Sequence, residues 1–282
     1  MDRTKSHHDG SQMERLTRGF SAETLELITS LSEEALQQKL ARMITPPITL
    51  NERTDSELLE LYYTSSYVHL FETFNIPKKA KLFEIAAGDT IFIPKALNAY
   101  ADEGAKYITA NLNKSLTSGF REKASELSIE LEIIEDNGIN ILSYCGEGKV
   151  DVAVFHHAMN DIVQTIIAER EGNDTVNVDW WTAEPQMLQT VMAYHNRGEL
   201  KTAAYSEFIS IIETCMKLLK EDGYFIFDNC TYAGYEDMGY NSDFHSNYIQ
   251  LAREWIHEAD LGLQEVELEG FDPKWWMVLQ KT

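Results

Sequence analysis

Basic residues are scarce in this chain. It has 24 Lys and Arg against 46 Asp and Glu, a formal net charge of −22. Phosphate neutralisation needs clustered Lys and Arg, so the balance argues against a nucleic-acid partner. It argues equally against docking on an anionic membrane surface. Cysteine is scarce too: Cys145, Cys215 and Cys230 are widely spaced and form no CxxC pair. That suits a reducing compartment and offers neither a disulfide framework nor a zinc site. His7 and His8 have no further ligands nearby in sequence, so no metal is expected. No apolar run is long enough to span a bilayer. The first twenty residues are too polar for a secretory leader, and the expectation is a cytoplasmic protein. Internal repeats and low-complexity tracts are lacking.

What is present is an ordinary core composition. The chain has 282 residues, 44% hydrophobic and 11% aromatic. That is enough for one large domain with an appendage. The acidity is uneven. Residues 1–50 hold 6 basic and 7 acidic side chains, whereas residues 151–250 hold 5 and 16. A substrate received in that second stretch is expected to be neutral or amine-bearing, although a merely solvated surface explains the charge equally well.

Residues 1–20 are polar and without period, and are expected to be poorly ordered. A helical pattern starts at Ser21, with Leu25, Ile28, Leu31, Leu36, Leu40 and Met43, and ends at Pro46–Pro47. A second helical stretch runs from about Thr54 to Phe74. Residues 21–76 thus read as a helical N-terminal cap and residues 77–282 as a separate α/β domain. In that domain short apolar runs at 80–86, 105–110, 129–134, 150–156 and 224–229 alternate with helical segments. This rhythm predicts βαβ units, a mostly parallel sheet and helices on both faces. Runs at 263–270 and 275–280, parted by a turn at Asp272–Pro273, predict a C-terminal antiparallel β-hairpin.

Open parallel sheets bind ligands beyond the carboxyl ends of their strands. Polar residues gather at those ends here: Glu84 to Asp89, Asn111 and Asn113, Glu135 to Asn137, His156 to Asp161, and Asp228 to Tyr232. Turns favour the same residue types, so the coincidence across five strands is the signal.

The element order, the terminal hairpin and these strand ends resemble a class I S-adenosylmethionine-dependent methyltransferase over residues 76–282. The resemblance implies a Rossmann-like, seven-stranded sheet. Its first motif, acid-x-Gly-x-Gly-x-Gly, matches Glu84-Ile85-Ala86-Ala87-Gly88-Asp89-Thr90, with Ala86 and Thr90 replacing the flanking glycines. By resemblance Glu84 lies near the methionine amino group and the backbone at Ala86–Gly88 lies against the ligand. The ribose-binding acid is replaced by Asn111, next to Leu112. An amide can donate and accept but carries no charge. Asp136, or its neighbouring amide at Asn137, falls on the adenine side; an Asx-type turn explains Asp136 equally well.

The fourth motif corresponds to residues 150–161 and implies that His156 and His157 lie beside the ligand. His157 is the first candidate general base and Asp161 the second, with Tyr232 a further catalytic candidate. Packing or cofactor contact is the competing reading of each histidine. Asn160, Asp228, Asn229 and Tyr235 face the acceptor by resemblance. Asp228 either steers an amine or caps a turn. Aromatic side chains at Tyr62, Tyr63 and Tyr67 and at Tyr232, Tyr235 and Tyr240 can wall a pocket for a sulfonium cation. Helix core and loop packing are the competing readings.

The reaction implied is SN2 methyl transfer from S-adenosylmethionine to a small-molecule N, O or C nucleophile, leaving S-adenosylhomocysteine. Two alternatives stay open. One is a lyase or cyclase of S-adenosylmethionine that releases methylthioadenosine. The other is a non-catalytic binding protein on the same fold. A homodimer also stays open.

Overall fold

The computed structural model describes residues 12–237 and 242–282. His7, His8 and Tyr240 lie outside the described residues. Residues 12–16 are helical (α1), which corrects the expectation of poor order up to residue 20. The cause is burial. Leu16, Thr17 and Phe20 are in the core, and the buried Lys95 Nζ donates to the Arg18 carbonyl at 2.9 Å.

The pattern from Ser21 to Met43 folds as two helices, α2 (Ala22–Ser30) and α3 (Glu33–Met43). Ser32 divides them, because its side chain accepts from the Ala35 amide as an N-cap. α4 (Arg53–Thr73) carries a capping box between Glu52 and Asp55 and buries Leu58, Leu61, Tyr67 and Phe71.

The strands follow where the apolar runs lie: β1 (Lys81–Ile85), β2 (Lys106–Ala110), β3 (Glu130–Ile134), β4 (Val150–His156) and β5 (Leu219–Asp228). α5 (Phe92–Tyr100) and α6 (Lys114–Ala124) make the first crossovers, and the short α7 (Ile141–Cys145) leads into β4. The segment after β4 forms two helices, α8 (Ala158–Arg170) and α9 (Trp180–Asn196), followed by α10 (Leu200–Leu218). Asp222–Gly223 sits inside β5, where the register to β4 is irregular and Asp222 has φ +61°. After β5 come α11 (Ala233–Asp237), α12 (Ser242–His245), α13 (Tyr248–Ala259), β6 (Leu263–Val266) and β7 (Trp276–Lys281).

These strands form one seven-stranded sheet in the order β3-β2-β1-β4-β5-β7-β6. All pairs are parallel except those of β7, which runs antiparallel between β5 and β6. The strand order reverses between β1 and β4, which is where such a sheet opens a crevice.

Strand alternation assigns each residue to a face. Phe83, Ile85, Ala110, Phe155 and Phe227 pack with α8, α10 and α13. Leu82, Tyr107, Val154, Ile226 and Val278 pack with α4 and α5. The helices of the N-terminal segment therefore cover a sheet face. They also reach the loop after β5, where the Ile48 amide donates to the Thr231 carbonyl at 2.7 Å. No described helix is long and apolar enough to cross a membrane.

Phe155 is fully buried in the middle of the sheet and stacks on Phe227 at 4.5 Å between centroids. Phe155→Ala should cost about 3–5 kcal/mol, read by urea unfolding. A loss under about 1 kcal/mol would contradict its place in the core.

Candidate functional site

Two adjoining cavities open at the carboxyl ends of the strands. The first has a volume of about 470 Å³ and the second about 360 Å³. Both fall in the range of small-molecule sites, roughly 300–1,000 Å³. They share Ala86, Gly88, Leu116, Asp161 and Trp180 as walls.

The first cavity starts at the turn after β1. Ala86 has φ +52° and Gly88 has φ +60°. Gly88 takes that conformation freely, whereas Ala86 takes it at a cost. The Ala86 amide donates to the Ala110 carbonyl at 3.0 Å, which holds the turn against β2. Asn111 adds a second tie, its Nδ2 donating to the Gly88 carbonyl at 2.8 Å. The Asn111 Oδ1 is buried without a partner. Leu112, Asn137, Gly138 and Ile139 complete that wall. A Cβ at Gly138 would stand 2.4 Å from Ile85 Cδ1, so the close approach of this turn to β1 depends on glycine.

Asp136 is not among the lining residues, which corrects its expected place on the adenine side. Its carboxylate is taken up locally, accepting from the Asn137 amide, Asn140 Nδ2 and the Tyr144 hydroxyl. Those bonds lower its pKa, and they occupy the neighbouring amide as well.

Glu84 also departs from its expected place. It pairs in register with Thr109 and Val154 and so points to the α4 face, lining neither cavity. The Tyr107 hydroxyl donates to its Oε2, while Oε1 has no partner. Burial pushes the Glu84 pKa up to about 8, against the opposing charge of His156 and the Tyr107 bond.

Asp228 lies on the same face, fully buried. His156 Nδ1 stands 2.9 and 3.0 Å from its two oxygens, and the Tyr67 hydroxyl donates to Oδ2. His157 Nε2 is 3.2 Å from Oδ1. The ligating atoms of His156, His157 and Asp228 lie within 4.8 Å of one another. Burial disfavours the charged His156 ring, but Asp228 and Glu84 outweigh it and raise its pKa. This arrangement removes Asp228 and Tyr67 from the expected substrate wall. Both are spent inside the protein. Tyr63 is edge-on to both histidine rings and borders a third, smaller hollow near Trp275 and Trp276. His156 borders the second cavity rather than the first.

The second cavity gathers His157, Asn160, Asp161, Asn229, Tyr232 and Tyr235, all named from the sequence. His157 caps α8 with φ +49°. Burial, and then the charge of His156, push its pKa well below the usual range, so the ring is neutral near pH 7. Asn160 Nδ2 donates to Asp161 Oδ1 at 2.6 Å. Burial and the charge of Glu184 push the Asp161 pKa well above its usual value.

Sequence reasoning placed none of Glu184, His245, Trp180 and Trp181 at the site. α9 brings three of these four to the wall. The signal available was Trp180, Trp181 and Glu184 within one helical turn and a half, which alone does not distinguish a wall from a core. No residue before Ile85 lines either cavity, so among the described residues the helical cap does not wall them.

A mostly parallel seven-stranded sheet with an antiparallel C-terminal hairpin is the arrangement implied by the resemblance, and the chain has that Rossmann-like fold. No protein-family model and no curated protein matches it. Among solved structures, a proposed caffeoyl-CoA O-methyltransferase from Staphylococcus aureus is 15% identical, with TM-score 0.48, over 93% of this chain and 100% of its own. An S-adenosylmethionine-dependent methyltransferase from Aquifex aeolicus is 12% identical, with TM-score 0.44, over 86% and 96%. The S-adenosylhomocysteine-bound methyltransferase PaMTH1 of Podospora anserina is 12% identical, with TM-score 0.43, over 100% and 97%. Likeness at that level carries no argument about chemistry.

The raised pKa of Glu84 sets a pH dependence. The folded protein keeps this proton up to about pH 8, while an unperturbed glutamate releases it near 4.5. The folded state binds the extra proton between those values, so the contribution is full below 4.5 and lost as pH rises through 8. Glu84→Gln removes the slope. In urea unfolding it should gain on the wild type as pH rises across this window, by at most about 1.4 kcal/mol per pH unit. A stability difference that does not change with pH would contradict the assignment.

Proposed function

We propose that this chain is an S-adenosylmethionine-dependent methyltransferase acting on a small molecule, with the donor in the first cavity and the acceptor in the second. The observation that carries the reading is the junction of the two cavities at the Gly88 turn, at the switch point of the sheet. A transfer reaction needs two ligands held end to end, and shared walls provide that.

The first cavity fits the donor. Ile85, Leu112, Leu116 and Ile139 offer apolar surface for a purine. The unpartnered Asn111 Oδ1 offers an acceptor for a ribose hydroxyl. The turn through Ala86 and Gly88 allows close backbone approach. When bound, S-adenosylmethionine supplies an electrophilic methyl group on a sulfonium. The chain's own residues then align and dry the junction. Trp180 and Leu116 stand there as apolar walls. His157 is neutral and can take a proton at a ring nitrogen, and its Nε2 stands 3.2 Å from the Asp228 carboxylate, which would stabilise the resulting charge.

Calorimetry with S-adenosylmethionine and S-adenosylhomocysteine tests the reading. Both should bind, and Gly88→Val should weaken them at least tenfold, since valine resists φ +60° and fills the junction. Absence of binding by the wild type would contradict the proposal. Incubation with S-adenosylmethionine alone should release no methylthioadenosine; its release would favour the lyase reading instead.

His157→Ala should lower kcat at least tenfold with little change in KM. An unchanged kcat would remove His157 as the base.

A further inference from the structure

The second cavity has a chemical character that the fold does not require. Three carboxyl groups line it: Asp89, which is paired with Lys123 at 2.7 Å, and Glu184 from α9 and Asp161 from α8, which stand among aromatic rings. Tyr235 and Glu184 approach each other at 3.4 Å between the hydroxyl and Oε1. Trp181 borders the same space with 59% of its surface exposed, an unusual position for the largest apolar side chain. No Lys or Arg is among the described residues that line the cavity.

Two further observations point to a ligand. Asn160 and Asn229 line the cavity, are 4% and 2% exposed, and each has a buried Oδ1 with no hydrogen-bond partner. Buried acceptors left unpaired cost free energy unless a donor arrives. The cavity therefore presents unpaired acceptors and, once Glu184 ionises, negative charge, with no Lys or Arg to match it.

We propose that this cavity binds an organic ammonium group, held between the carboxyl groups of Glu184 and Asp161 and the rings of Trp181, Tyr232 and Tyr235. A cation over an aromatic face gains from the ring quadrupole, and more so where water is excluded. Its N–H groups supply the donors that the two asparagine oxygens lack. The imidazoles in the wall do not compete. His245 is neutral, its pKa pushed down to about 3 by burial, and His157 is neutral as well. Burial has raised the Glu184 pKa to about 7, which a bound cation would pull back down. An anionic ligand would meet the Glu184 carboxylate with no Lys or Arg to offset it. A neutral alcohol of the same shape would offer one O–H donor and no charge to balance that carboxylate.

The proposal names the acceptor class for the site assigned above and rests on that reading for its role, but the binding is measured without S-adenosylmethionine. Calorimetry at pH 8 would compare phenethylamine, tetramethylammonium and cadaverine with 2-phenylethanol and phenylacetate. At least one of the cations should bind. Phenethylamine should bind at least tenfold tighter than 2-phenylethanol, and phenylacetate should not bind. Glu184→Gln should weaken the cation at least tenfold, and Asp161→Asn should weaken it as well. Glu184 borders only the second cavity, so the affinity of Glu184→Gln for S-adenosylhomocysteine should equal that of the wild type, which also verifies the variant's fold. If none of the three cations binds, if the alcohol matches the amine, or if Glu184→Gln leaves the cation affinity unchanged, the proposal is overturned. Failure of S-adenosylhomocysteine to bind the wild type would instead overturn the donor assignment and leave the cation result to be judged by itself.

Discussion

Asp228 is the point on which the site's geometry turns. It ends β5 with no exposed surface and takes hydrogen bonds from Tyr67 of α4 and His156 of β4. Its oxygen also stands beside His157 at the start of α8. A buried carboxylate without partners would be very costly, and with three it fixes all of them. One side chain thus locks the helical N-terminal segment, the two central strands and the entrance of the second cavity into a single arrangement. The neighbouring Glu84–Tyr107 pair extends the polar seam along the same face.

Parity along the strands decides which strand-end residues meet a ligand. Glu84 and Asp228 sit on the α4 face, whereas Ile85 points to the other face and borders the first cavity. Residues just past the strand ends are freed from that parity. Gly88, Asn111 and Asn137 reach the first cavity from the turns; Asn160, Asn229 and Tyr232 reach the second. The two cavities are built from turns and the first residues of helices, while the strand termini hold them in place.

Much of this was legible in the chain itself. The apolar runs at 80–86, 105–110, 129–134 and 150–156 fell on strands, each end within one residue, because alternation and turn residues mark strand limits well. The break at Ser32 went unseen because the apolar spacing continues through it, and only the side-chain cap reveals it. Residues 12–20 looked unstructured because their composition is polar; their order comes from contacts with Lys95 and Arg53, far away in sequence. Gly88, Asn111 and Asn137 were legible as strand-end residues because turn chemistry is local, and they border the first cavity. That Glu84, Asp228 and Tyr67 face one another inside the protein was not legible, because the face of a sheet is a tertiary property. Glu184 was invisible for the same reason, being one acid among many until α9 turns it into a cavity. The acidic excess noted at the outset gains a location there.

The central claim is that donor and acceptor meet at the Gly88 turn. A crystal structure of the protein grown with S-adenosylhomocysteine tests it most directly. The account predicts the nucleoside along Leu112, Asn111 and Ile139, with the sulfur at the junction walled by Gly88, Asp161 and Trp180. Ligand bound elsewhere, or bound with its sulfur turned away from the second cavity, would contradict it.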